Sequence, residues 1–67
     1  MVTDIHIKIY KFIKDYIDTN GYSPSMREIK SFNNIPSLST VHKYMGELKE
    51  LEYIDWHENR PRSIVIK

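Results

Sequence analysis

The stretch SMREIKSFNNIPSLSTV, residues 25–41, decides how this chain folds. It holds two helix starts, Ser25-Met26-Arg27-Glu28-Ile29 and Ser37-Leu38-Ser39-Thr40-Val41, with little chain between them. Ser25 followed by Glu28 is a capping box, a hydroxyl at the cap and a carboxylate three positions on. The helix it opens is predicted over 26–32, with Ile29 and Phe32 facing inward. Asn33-Asn34 closes that helix, since asparagine tolerates the left-handed turn. Ile35 is placed to plug the angle between the helices, and Pro36 stops the first from propagating. Ser37 caps the second, predicted over about 38–52. Val41, Tyr44, Met45, Leu48 and Leu51 are its expected buried stripe, with Ser39, Lys43, Gly46 and Glu50 on the other side. Two helices joined this tightly must cross rather than run on. That is the skeleton of a helix-turn-helix, in which the first turns of the second helix are presented to a DNA major groove.

Upstream, Ile5, Ile9, Phe12, Ile13, Tyr16 and Ile17 recur at steps of three and four, the mark of one buried helical face. A helix is expected over about 3–19, capped by Thr3 or Asp4 and stopped by Asn20-Gly21. Downstream the period changes. Tyr53-Ile54-Asp55-Trp56-His57 and Ser63-Ile64-Val65-Ile66 alternate in steps of two and are rich in β-branched and aromatic residues. Strands are expected over about 53–57 and 62–66, with the polar segment Glu58-Asn59-Arg60-Pro61-Arg62 as the charged tip of an antiparallel hairpin. Ile54, Trp56, Ile64 and Ile66 are expected to pack on the helices. The fold class is therefore α+β, mainly α: three helices followed by a two-stranded wing, in a single domain spanning 1–67.

Composition narrows the function. A chain of 67 residues forms one domain at most, and 40% hydrophobic residues suit a folded globule. No apolar run approaches the ~20 residues that cross a membrane, and residues 1–8 lack the order of a signal peptide. With no cysteine there is neither a disulfide framework nor a thiolate metal site, so the cytoplasm is the expected setting. The net charge is only +1, so attraction to a polyanion must come from the local placement of Lys and Arg.

A catalytic reading finds nothing to stand on. His6, His42 and His57 lie on three separate elements, as ordinary surface histidines rather than a metal site. There is no glycine-rich phosphate loop and no nucleophile elbow. No enzyme activity, metal or cofactor is expected. For nucleic acid the geometry is better. Helix starts at Ser25 and Ser37 carry free N–H groups suited to phosphate, and Arg27 lies in the first turn of the second helix. Ser39, Thr40, His42 and Lys43 occupy the first two turns of the third helix away from the core, short polar or basic groups able to reach base edges. Glu47, Glu50 and Glu52 would repel phosphates from the far end, so only the N-terminal end enters the groove. Asn59, Arg60 and Arg62 are placed to meet the sugar-phosphate backbone or a minor groove.

Read in order, GYSPSMREI (21–29), SLSTVHKYMGEL (37–48), LEYI (51–54) and RPRSIVI (60–66) resemble the N-terminal winged helix domain of the LexA repressor family, and FIKDYI (12–17) fits that domain's first helix. The spacing matches without a gap. The resemblance implies a transcriptional repressor whose third helix reads a palindromic operator in double-stranded DNA. It places Ser37, Ser39, Thr40, His42 and Lys43 on base- and phosphate-contacting positions, and Arg27, Asn59 and Arg60 along the backbone. Asn34 stands where the family often has glycine. The family's self-cleaving C-terminal protease domain, which also dimerises it, is not among these 67 residues, so function is expected to need two copies on paired half-sites, through self-association or a missing domain. Asp55-Trp56-His57-Glu58 replaces a region that is often basic in the family. It supports a rival reading, a module that meets a protein partner through its wing.

Overall fold

The computed structural model describes residues 2–57, 60 and 62–67. Helices α1 (Asp4–Asn20), α2 (Met26–Phe32) and α3 (Leu38–Glu50) precede strands β1 (Ile54–Asp55) and β2 (Val65–Ile66). The strands pair antiparallel, Ile54 with Ile66 and Asp55 with Val65. This is a winged helix, mainly helical.

Each boundary has a local cause. Thr3 is the extended cap of α1, and Gly21, at φ 79°, returns its N–H to the Ile17 carbonyl at 2.8 Å. Only glycine takes that φ without strain. The Ser25 box forms in full: Oγ accepts the Glu28 N–H at 3.2 Å, and Glu28 Oε1 accepts the Ser25 N–H at 2.8 Å. At the turn, Asn34 takes φ 54° as expected, and Ile35 donates its N–H to the Lys30 carbonyl while its side chain is buried. Ser37 Oγ accepts the Thr40 N–H at 3.2 Å and opens α3.

The core is one cluster: Ile9 and Ile13 from α1, Ile29 from α2, Val41, Met45 and Leu48 from α3, Ile35 from the turn, and Ile54, Trp56 and Ile64 from the wing. Of the other expected members, Ile5, Phe12, Tyr16, Ile17, Tyr44 and Ile66 are half-buried, whereas Phe32 and Leu51 are exposed. Phe32 is 68% exposed, because the last residue of so short a helix turns out toward α1, where its ring stacks on Phe12 at 5.3 Å. Leu51 is exposed because α3 stops at Glu50 rather than at 52. Glu52 adopts φ 63°, its N–H bonds the Lys49 carbonyl, and Leu51 is left as the cap.

The strands are shorter than the alternation predicts, for a side-chain reason. The Ser63 hydroxyl accepts the His57 N–H at 2.9 Å and donates to the His57 carbonyl at 3.1 Å, standing in for a ladder pair. The Ile64 N–H leaves the ladder for Ser23 Oγ at 3.2 Å, and Arg62 takes φ 56°. The wing is thereby fastened to the α1–α2 loop as well as to its own partner strand.

His6 corrects its expected place at the surface, for it is buried. Its Nδ1 accepts the Thr3 N–H at 3.0 Å, so the ring proton sits on Nε2 and is donated to Glu47 Oε1 at 2.7 Å. One imidazole thus closes the cap of α1 and ties it to α3.

Candidate nucleic-acid interface

Three pieces of chain form one surface: the start of α2, the first two turns of α3 and the return of the wing. Ser39, His42 and Lys43 stand exposed on α3, with Ser37 and Thr40 half-buried beside them. Thr40 Oγ1 lies 3.0 Å from Ser37 Oγ, so these two hydroxyls face each other across the cap. A cleft of about 410 Å³ opens between α3 and the wing, and Arg27, His42, His57, Arg60 and Arg62 line it with the indole of Trp56. No carboxylate belongs to that lining among the described residues.

Of the nine residues singled out from sequence, the cleft collects Arg27, His42, Arg60 and Arg62. Ser37, Ser39, Thr40 and Lys43 continue the surface along α3. Asn59 lies outside the described residues. Arg62 is the one whose surroundings differ from expectation. Its guanidinium Nη1 is 2.8 Å from Glu28 Oε1 and donates to the Ser23 carbonyl at 3.1 Å and the Tyr16 hydroxyl at 3.2 Å, with Tyr22 below it at 5.0 Å. It is a staple from the wing to α1 and α2 before it is anything else.

Glu28 is the centre of that staple. The Ser25 N–H, the Arg62 guanidinium and the Tyr16 hydroxyl all stabilise its charged form, and its pKa falls from 4.5 to about 2. The start of α2 is therefore already filled by an anion of the protein itself. Of the two helix starts expected to suit phosphate, the one at Ser25 thus has its N–H groups partly taken up by Glu28. At the start of α3 no acid occupies the first turn.

Other acids are also tied down away from this surface. Glu47 holds His6, and Asp55 lies 3.5 Å from Lys49 Nζ. The Asp55 carboxyl is held below its ordinary range by the Trp56 N–H and by Lys49. Lys49 meanwhile donates to the Trp56 carbonyl at 2.9 Å, so it serves the wing rather than the solvent.

Sequence reasoning missed three participants. His57 lines the cleft, as the period-two pattern that set it opposite Trp56 implied but did not use. Ser23 is buried with its hydroxyl and carbonyl both engaged by the wing, and nothing in its neighbourhood of sequence announces that. Trp56 reaches past the core to the ring of His42, at 5.8 Å. Gly46 shows no crowding: among the described residues, a Cβ built there meets nothing within 4 Å.

Among the described residues no three His, Cys, Asp or Glu side chains gather as a metal site, and no helix is long and apolar enough to cross a membrane. The LexA DNA binding domain model matches residues 2–63. The LexA repressor of Staphylococcus aureus (strain USA300) is 42% identical over 59 residues, covering 88% of this chain and 28% of that protein. The LexA repressor of Staphylococcus haemolyticus (strain JCSC1435) matches equally, 42% over 59 residues with the same coverage. The chain thus spans little more than a quarter of the length of these relatives. Three capped helices, a wing stapled to them and a match running from the first helix through the first strand agree on one conclusion: the chain belongs to the LexA DNA-binding domain family.

Proposed function

We propose that this LexA-type domain acts as a repressor module that reads duplex DNA with the first two turns of α3, one copy to each half-site of a palindromic operator. The observation that carries the reading is the contrast in charge along α3. Its first turn is free of acids and borders a cleft lined by arginines, whereas Glu50 is its last residue and Glu52 follows the cap. Ser39, Thr40, His42 and Lys43 are the base- and phosphate-contacting set, with Ser37 at the cap. Arg27 and Arg60 hold the backbone, joined by Asn59 at the wing tip. Arg62 contributes through the staple that aims the wing. Residues 1–67 work as one domain, in the cytoplasm, by binding alone and without a chemical step.

One such module buries only about 600–1,000 Å² on DNA, too little for tight binding by itself. Two copies, brought together by self-association or by a further domain, supply the remainder. The rival reading, a wing that docks a protein, rests on the net charge of +1 and on the segment Asp55-Trp56-His57-Glu58, and it loses support at Trp56. That side chain is 5% exposed and packed in the core, which favours the DNA reading over a docking role for the indole.

A titration of fluorescent duplex over a salt series tests the proposal. Binding should weaken steeply with salt, and Lys43→Ala should reduce the slope by about 1, the value for one phosphate contact. Ser39→Ala should weaken operator binding without changing the slope. Binding that ignores salt would sink the reading.

A further inference from the structure

We infer that Trp56 is a positioning residue for base recognition: it holds the His42 imidazole in the orientation from which it reads DNA. The inference rests on the role given to His42 above. Its warrant is a chain of contacts that runs from the wing into α3 on the recognition side.

Trp56 is held by four contacts, two through its indole and two through its backbone. Its Nε1–H donates to the Met45 carbonyl at 3.2 Å, and its backbone N–H donates to Asp55 Oδ1 at 2.8 Å. Its carbonyl accepts from Lys49 Nζ at 2.9 Å, and the same ammonium lies 5.7 Å from the ring centroid. Lys49 and Asp55 are themselves 3.5 Å apart. Trp56 therefore cannot move without breaking a bond to α3 or to its own strand. Against this immobile surface lies His42, ring centroids 5.8 Å apart and planes tilted by 38°.

An exposed side chain on a helix ordinarily turns among its rotamers and must be ordered when it meets a base. Ordering one such side chain in advance is worth about two- to tenfold in affinity. For an imidazole the effect is directional, because its donor and acceptor nitrogens discriminate bases only when the ring plane is set. Trp56 also spans from His42 to Lys49 along α3, so the wing and the reading turns move as one piece. Where the wing sits, His42 points.

The test uses the whole chain and a panel of operators, each altered at one base pair. His42→Ala identifies the base pair that His42 reads, as the position where discrimination collapses. Trp56→Phe keeps an aromatic filler but removes the Nε1–H donor to Met45 and part of the ring system that packs beside His42. It should lower discrimination at that one base pair by about two- to tenfold, leaving the other positions and the salt slope unchanged. In a His42→Ala background the same substitution should have no further effect at that position. In the unmodified protein, proton NMR should show cross-relaxation between the indole and the His42 ring, a measurement that needs no variant to fold. Uniform weakening at every position, no change at all, or an equal effect in the His42→Ala background would overturn the inference, as would missing cross-relaxation. If His42→Ala alters no base pair's preference, the base-reading role proposed for His42 falls, and this inference with it. If His42→Ala matters and Trp56→Phe does not, only the positioning role falls.

Discussion

Helices α2 and α3 begin alike and end up with opposite duties. Each is opened by a serine whose hydroxyl accepts the N–H of the third residue onward, Glu28 in one case and Thr40 in the other, both at 3.2 Å. The difference lies in that third residue. Glu28 returns a carboxylate to the cap and then recruits Tyr16 and Arg62, so the positive end of α2 is neutralised inside the protein. Thr40 returns only a hydroxyl to Ser37, and the positive end of α3 stays open. One start has become a joint of the fold, and the other is left free of acids, as the proposed contact with phosphate requires. The lesson is that a capping signal locates a helix end but does not say who neutralises it.

The most damaging way to break the comparison is to make the two starts the same. Thr40→Glu should complete a second capping box, leaving the melting temperature level or slightly raised. The new carboxylate would face phosphate, and like charges at an interface cost several kcal/mol. Duplex affinity should fall on the order of 100-fold in the titration described above. Lost affinity in a fully folded protein is the outcome that separates the two duties.

A smaller effect comes from emptying the joint. Glu28→Gln keeps the shape but removes the charge shared by Ser25, Arg62 and Tyr16, and should cost about 2 kcal/mol in urea unfolding at neutral pH. It should also change the response to acid. The native pKa of about 2 lies below the ordinary 4.5, so the unfolded chain binds the proton more readily in that window. The stability Glu28 confers is complete above pH about 4.5 and is lost as the pH falls toward 2. The Gln variant should lack that part of the decline. An unchanged acid profile would mean that the staple carries little of the fold.

The smallest effect sharpens the comparison at the caps themselves. Ser37→Ala should cost about 1 kcal/mol, since its hydroxyl is the side-chain cap of α3. Ser25→Ala should cost less, because the Glu28 arm of the box still reaches the Ser25 N–H. Equal losses would show that the second arm contributes nothing.

Much of this was legible in the sequence, for identifiable reasons. The starts at Ser25 and Ser37, the left-handed Asn34 and the plug at Ile35 are local, so a few neighbouring residues dictate them. The helical stripe of α1 and the alternation that buries Ile54, Trp56 and Ile64 are equally visible in the spacing. What sequence could not reveal depends on distant partners. His6 is buried because Glu47 receives its proton across 41 positions, and Arg62 turns inward because Glu28 and Ser23 await it. Phe32 and Leu51 fell outside the core because each stands at a helix end, where a periodic pattern is extended one residue too far. The site divides in the same way. Ser39, His42 and Lys43 follow from the position of the α3 cap, whereas the joining of His42 to Trp56 required the wing to fold back.

Trp56 is the only tryptophan in the chain, and it lies between an imidazole of the reading turns and the ammonium of Lys49. The molecule therefore carries a single indole, excitable apart from its five tyrosines, beside the start of α3. Its emission should be blue-shifted while the wing is seated and should respond when a duplex engages His42, without any label attached. The residue that holds the wing in place also makes its placement visible.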